Sequence, residues 1–395
     1  MLKNWGYLAA MALAVSILFS VEHASGLTGF GGIDTHIHLY APPGITKASA
    51  PVGASGSFRK PDSKQKTTGS ASASVEFRRI PDSSGEEMYI RAAKNLLELM
   101  NKRNVARAMV MPPPQYQRQA GAYDYKILLP AIEASGGRLF LVAGGGSLNP
   151  LIVNTPPNKV TLLRKKAFEK KANEIIKAGA VAFGEMTALH VCMNQRHQYM
   201  EAPPDHPLFL LLADIAAKRG IPIDLHMEAV LEKMSTPERL LEACSKNPRT
   251  LPPTIPGLER LLKHNINAKI VWQHTGWDNT GQMTPELLDR LLHDHPNLFL
   301  SIRVLSLQQN RLEGFKRNTI TDPRGRLRPE WEKLFMDHPD RFMVGSDVFV
   351  GEPDSKREQP ESFHESWRAI NNLLEPARSK VSWKTAAEVY KVDKR

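Results

Sequence analysis

From about residue 86 to its end the chain alternates strand-length apolar runs with amphipathic stretches, and no other feature constrains its fold as tightly. The runs are Val105 to Met111, Arg138 to Ala143, Ala180 to Gly184, Ile221 to Leu225, Ala268 to Trp272, Leu298 to Ile302 and Arg341 to Val344. Between them Ile90, Ala93, Leu97 and Met100 recur at helical spacing, and Tyr125 to Ala134 reads as a helix interrupted at Pro130. Val160 to Ala178 is a lysine-studded helix that Gly179 ends. Pro207 to Arg219, Leu258 to His264, Leu287 to His293 and Glu330 to Met336 continue the alternation, with further helices near 361–375 and 384–391. Gly31, Gly32 and Ile33 open one more buried strand, which brings the strands to eight. Non-alternating apolar strands separated by helices pair in parallel. Eight such repeats predict an α/β fold, a (β/α)8 TIM barrel, with its active site at the C-terminal ends of the strands. An open doubly wound sheet is the alternative, and no glycine-rich phosphate loop supports it.

The ends and the first loop differ from this pattern. Lys3, the apolar run Tyr7 to Val21 and the small residues Ala24-Ser25-Gly26 read as a signal peptide over residues 1–26. The run is too short for a confident membrane span, and nothing later is long and apolar enough to be one. Export to a periplasm or to the outside is the expected fate. Residues 27–395 then form the barrel, interrupted after the first strand by a long basic insertion over 41–85. That stretch is rich in Ser, Ala, Gly and Pro, carries Lys47, Arg59, Lys60, Lys64 and Lys66, and keeps no apolar period, so it reads as a flexible low-complexity loop. The net charge of +11 suits an anionic substrate, an acidic envelope polymer or nucleic acid and identifies none of them. Two cysteines, Cys192 and Cys244, could pair once in an oxidising compartment, and their spacing leaves that open.

The chemistry is concentrated where the barrel would converge it. In Asp34-Thr35-His36-Ile37-His38, strand alternation sets Asp34, His36 and His38 on one face and Ile33, Ile37 and Leu39 on the other. Two imidazoles about 7 Å apart on one strand can close on a single metal ion. Glu185 follows the run Ala180 to Gly184, His226 follows Ile221 to Leu225, and His274 follows Ala268 to Gln273. Asp347 follows the last strand through Gly345 and Ser346. A lone histidine or aspartate at a strand end is commonly structural; residues of metal-binding type at five strand ends point to a metal centre.

With those residues in view, the chain resembles the amidohydrolase superfamily. His338-Pro339-Asp340-Arg341-Phe342-Met343-Val344-Gly345-Ser346-Asp347 looks most like the amidohydrolase-2 branch. Phe183-Gly184-Glu185-Met186 is similar to the metal-binding Gly-Glu segment of TatD-type nucleases, at the strand where many superfamily members carry a carboxylated lysine. The resemblance implies a metal held by His36 and His38, with His226 and Asp347 completing its sphere or its mechanism. His274 would be a second ligand or an acid–base group. It favours two ions, one on His36, His38 and Asp347, one on His226 and His274, with Glu185 between them; a single ion with Glu185 hydrogen-bonded nearby is the alternative. Nitrogen and carboxylate ligands without thiolate suit Zn²⁺, with Mn²⁺ or Fe²⁺ as alternatives. The expected chemistry is attack by a metal-activated water whose pKa falls to about 7, with Asp347 handling its proton.

Around the expected pocket, Arg303 follows the seventh strand, and His190, Trp277, Glu228 and Asp278 lie in the loops beyond the ligands. Arg303 would bind an anionic substrate group, Trp277 would floor the site, and His190 would donate to an oxyanion, although each also has a structural reading. The basic run Arg311, Lys316, Arg317, Arg324, Arg326 and Arg328 reads as a solvated loop. The leading expectation is hydrolysis of a carboxylic ester, lactone or amide. Non-hydrolytic decarboxylation of an aromatic or unsaturated acid and TatD-like phosphodiester cleavage are the alternatives. Nucleic acid is not the expected partner, and nothing in the sequence sets the oligomeric state.

Overall fold

The computed structural model describes residues 31–40, 82–116, 124–195, 197–305, 319–351 and 360–392. The signal peptide, nearly all of the basic insertion, and Arg311, Lys316 and Arg317 lie outside the described residues. Eight parallel strands form the barrel: β1 Gly32–Leu39, β2 Val105–Val110, β3 Leu139–Gly144, β4 Ala182–His190, β5 Ile223–Met227, β6 Ile270–Thr275, β7 Leu298–Ile302 and β8 Phe342–Val344. Each pairs with the next, and β8 returns to β1 at Asp34 opposite Val344, so the sheet closes. A short strand, Val348–Val350, adds to the edge of β1 beyond β8.

Among the described residues a long helix follows every barrel strand, α1 Asp82–Lys102, α2 Tyr125–Glu133, α3 Leu162–Lys177, α4 Pro207–Arg219, α5 Ile255–His264, α6 Pro285–Asp294, α7 Pro329–Asp337 and α8 Pro360–Asn371, with short extra helices at Asn149–Val153 and Glu238–Ala243. Local chemistry sets their ends. In α6, Thr284 caps the first turn by accepting from Leu287 N at 3.2 Å, and Pro285 occupies the first helical position, where its missing N–H costs nothing. Leu287, Leu288, Leu291 and Leu292 then form one buried stripe against the sheet. Gly220 ends α4 at φ 64°, a left-handed conformation that suits glycine.

Two hydrophobic layers result. Between sheet and helices lie Ile37, Leu39, Leu96, Phe168, Leu212, Leu258 and Trp272, among many others. Inside the barrel Ile33, Met109, Phe140, Val142, Val271 and Met343 pack together, and α9, Thr385–Tyr390, inserts Ala386, Val389 and Tyr390 among them. The interior is thus a filled core closed by the C-terminal segment.

Two sequence expectations are corrected here. Plain alternation along β1 fails, because its pairing with β2 shifts register between Gly32 and Ile33 and again between Asp34 and Ile37. Ile33 therefore packs inside the barrel, whereas Ile37 and Leu39 pack under the helices. β4 does not end at Gly184 either. It runs on to His190, where Leu189 and His190 pair antiparallel with Met200–Glu201, and Glu185 stands within the strand.

Candidate metal centre

The six residues expected to ligate a metal meet at the mouth of the barrel. His36 and His38 come from β1, Glu185 from β4, His226 from β5 and His274 from β6, with Asp347 just past β8. His274 and Asp347 sit at φ 60° and φ 51°, in the left-handed region that costs an ordinary residue about 1 kcal/mol. Both departures fall where a strand ends and the backbone turns. Gly345 allows the close approach beside Asp347: a Cβ there would lie 2.0 Å from Ser301 Oγ and 3.0 Å from His36 Cβ.

The hydrogen bonds on the far side of each ring decide what the near side offers. His38 Nδ1 donates to the Met111 carbonyl at 2.8 Å, and His36 Nδ1 donates to Gln273 Oε1 at 2.9 Å. With the protons placed there, both Nε2 atoms carry lone pairs, yet they face each other at 3.0 Å. Such a pair needs a proton or a cation between its members. Carboxylate oxygens complete the surround: Glu185 Oε2 lies 3.6 and 3.5 Å from the two Nε2 atoms, and Asp347 Oδ1 lies 3.5 and 3.2 Å from them. Burial opposes a charge on His36, but the Glu185 and Asp347 carboxylates outweigh it and lift its pKa to about 9. Two nitrogens and two carboxylates, buried and oriented from behind, fit a divalent ion.

Glu185 joins this cluster to a second one. Its Oε1 accepts from His226 Nδ1 at 2.7 Å and from His274 Nε2 at 2.9 Å. Among the described residues two sets of three lie close enough to share an ion, His36 with His38 and Asp347, and His36 with Glu185 and His274. His226 belongs to neither set and reaches the centre through Glu185. Burial keeps His274 neutral, lowering its pKa to about 4 against the pull of Asp347. Its Nδ1 is buried with no hydrogen-bond partner among the described residues, 3.6 Å from Asp347 Oδ2. Asp347 stays ionised despite burial, held well below the usual carboxylate range by Arg303, His274, His38 and His36.

Arg303, Trp277 and His190 all line one cavity of about 430 Å³ that opens over the centre. Arg303 Nη1 sits 2.6 Å from Asp347 Oδ2, and its guanidinium lies over the Trp277 ring at 3.8 Å. His190 Nδ1 donates to the Gln198 carbonyl at 2.8 Å, and burial, aided by His226, lowers its pKa to about 3. Glu228 also lines the cavity, with burial lifting its carboxyl to about 7. Asp278 does not line it, and its side chain instead ties down Thr280 N, Gly281 N and Met283 N. Cys192 and Cys244 are disulfide-bonded, and Asn247 brackets the bridge by bonding both Cys192 N and Cys192 O at 2.8 Å. The bridge fastens the segment carrying Met193, His197 and Gln198, which forms one wall of the cavity.

Sequence reasoning missed Gln273 and Asp224. Gln273 directly precedes His274, and Asp224 is a charge set between Ile223 and Leu225, which was a usable signal. Asp224 Oδ1 accepts from Tyr390 Oη at 2.6 Å inside the barrel, and burial raises its pKa from 3.8 to about 7. Because the folded pKa exceeds the unfolded one, the folded state binds more protons, and stability falls as pH rises from about 4 to about 7. Asp224→Asn keeps an acceptor for Tyr390 and removes the buried charge. Its Tm is expected to match wild type near pH 4 and to exceed it by about 2 °C or more at pH 8. Equal pH slopes in a thermal melt series would contradict this assignment.

No protein-family model matches the chain, and no curated protein does. Similar solved structures exist. A probable 2-pyrone-4,6-dicarboxylic acid hydrolase from Acinetobacter baumannii, with citric acid bound, is 11% identical over 91% of this chain and 99% of its own, with a TM-score of 0.44. Amidohydrolase 2 from Bifidobacterium longum subsp. infantis is 11% identical over 92% and 100%, with a TM-score of 0.42. An amidohydrolase from Mycobacterium avium subsp. paratuberculosis K-10 is 10% identical over 75% and 73%, with a TM-score of 0.36. At such identities and scores the case for function rests on the side chains of this chain itself.

Proposed function

We propose that the protein is a metal-dependent hydrolase of the amidohydrolase type, acting on a carboxylic ester, lactone or amide bond of a small anionic molecule. One observation carries the reading: the His36 and His38 Nε2 atoms stand 3.0 Å apart with both Nδ1 protons committed elsewhere, inside a ring of buried carboxylates. His36, His38 and Asp347 would hold a divalent ion, with Glu185 and His274 completing the sphere or holding a second. Bound there, it would bring the pKa of a water to about 7 and polarise the scissile carbonyl. Where His274 is not a ligand, its Nδ1, buried without a hydrogen-bond partner among the described residues, would accept the proton of the attacking water and return it to the leaving group. Asp347, kept anionic by Arg303, would otherwise take that proton and deliver it. Arg303, lying flat on Trp277 at the cavity wall, meets the negative group of the substrate.

Export belongs to the same proposal. Lys3, the apolar run and Ala24-Ser25-Gly26 suit a cleaved leader, and the Cys192–Cys244 disulfide is the covalent state expected in an oxidising compartment.

Metal analysis of purified protein should find at least one divalent ion per chain, and two if Glu185 bridges. Exhaustive chelation should abolish turnover, and Zn²⁺ or Mn²⁺ should restore it. A near-zero metal content in active protein would overturn the reading. A panel of lactones, amides, phosphodiesters and aromatic acids then assigns the reaction. Release of CO₂ without hydrolysis would replace it with decarboxylation.

A further inference from the structure

Among the described residues, large apolar side chains stand exposed at Tyr116, Leu162, Leu163, Leu231, Ile266, Met336 and Leu374. Scattered singly, such residues need no explanation. Four of them share one end of the barrel. Tyr116 follows β2, Leu162 and Leu163 begin α3, and Leu231 follows β5, so all four belong to the face onto which the metal centre opens. Leu162 and Leu163 are the extreme case, adjacent and each 78% exposed.

The geometry of α3 explains the protrusion. Its buried stripe is Phe168, Ala172 and Ile175, which begins only in the second turn. The first turn lies ahead of that stripe and buries none of its side chains, and Thr161 caps it by accepting from Arg164 N at 3.3 Å. Basic side chains flank the two leucines in sequence: Lys159, Arg164, Lys166 and Lys170 are exposed and Lys165 is half-buried, with Glu169 an exposed acid among them.

We propose that this edge of the mouth face docks the protein onto an anionic lipid surface. Leu162 and Leu163 enter the boundary between headgroups and acyl chains, and the basic side chains meet the lipid phosphates. The combination selects the occupant. A soluble polyanion would satisfy the lysines and gain nothing from two leucines. A second copy of the chain would cover the leucines while bringing like charges together. An anionic membrane takes both, and the net charge of +11 favours the approach. Tyr116, exposed on the same face, also lines the cavity, so the docked protein holds its active-site entrance toward the lipid.

Sedimentation of the purified full chain with vesicles tests this without any substrate. Binding is expected to vesicles of phosphatidylcholine mixed with phosphatidylglycerol, to weaken in high salt, and to be far weaker to phosphatidylcholine alone. Leu162→Ser with Leu163→Ser should reduce partition to the mixed vesicles about tenfold or more, with Tm and metal content unchanged. Lys165→Gln with Lys166→Gln and Lys170→Gln should remove the preference for phosphatidylglycerol. Wild-type protein that ignores mixed vesicles, or a leucine variant that binds them equally, would overturn the proposal. So would a wild-type dimer that the leucine substitutions split, which assigns the patch to a second copy. Binding to an acidic polysaccharide but not to vesicles overturns it as well.

Discussion

His38→Ala is expected to empty the centre and reduce turnover about 1000-fold or more, the scale lost when a group that stabilises transition-state charge is removed. The expectation follows from how little else can replace this imidazole. Its Nε2 lies within 3.6 Å of His36 Nε2, Glu185 Oε2 and Asp347 Oδ1, and its ring is locked from behind by the Met111 carbonyl. Alanine leaves the two carboxylates facing a single imidazole in a buried site. Gln273→Ala makes the graded control. It leaves every ligand in place and removes only the acceptor for His36 Nδ1, so metal affinity should fall about 10- to 100-fold with turnover recoverable at high metal concentration. Metal content by mass spectrometry and turnover across a metal titration would read both. If His38→Ala kept its metal and stayed within tenfold of wild-type turnover, the histidine pair would not be the centre.

The contrast between these two residues shows what the sequence exposed. The eight strands and the helices between them were legible because burial on both faces of a parallel sheet writes continuous apolar runs, and amphipathic helices write a 3.6-residue period. The convergence of the candidate ligands was legible because a barrel gathers its strand ends, so residues 36 and 347 can be expected together without any knowledge of distance. The supports were not. Met111 acts through its backbone carbonyl, which carries no sequence signal. The register shifts that send Ile33 inward come from strand pairing, which no single strand's pattern records. The long β4 escaped because its second half stays paired with β5 on one side while its end, Leu189 and His190, pairs with a two-residue strand too short to show any period. The Cys192–Cys244 pair depended on two excursions from the barrel folding against each other, a contact beyond the reach of spacing.

Asp34→Ala is expected to destabilise the fold by about 3–5 kcal/mol, because three buried donors lose their acceptor together, each at about 1–3 kcal/mol. Asp34 Oδ1 accepts from His36 N and from Ser346 N, both at 3.1 Å, and Oδ2 accepts from Trp367 Nε1 at 3.3 Å. This carboxyl therefore fastens β1, the turn after β8 and α8 at the seam where the barrel closes. At roughly 1.5 °C per kcal/mol for a domain of more than about 300 residues, Tm should drop by about 4–8 °C. Burial lifts the Asp34 pKa from 3.8 to about 6, against those hydrogen bonds, so ionised Asp34 is itself a cost at neutral pH. Asp34→Asn removes that cost and keeps the Oδ1 acceptor, losing only the bond from Trp367, and should stay within about 1 kcal/mol of wild type. Because the seam also sets Ser346, and through it Asp347, the alanine variant should lose metal affinity along with stability while the asparagine variant keeps both. Thermal melts within 2 °C of wild type for Asp34→Ala would show that the barrel closes without this carboxyl, and the polar account of the seam would fall.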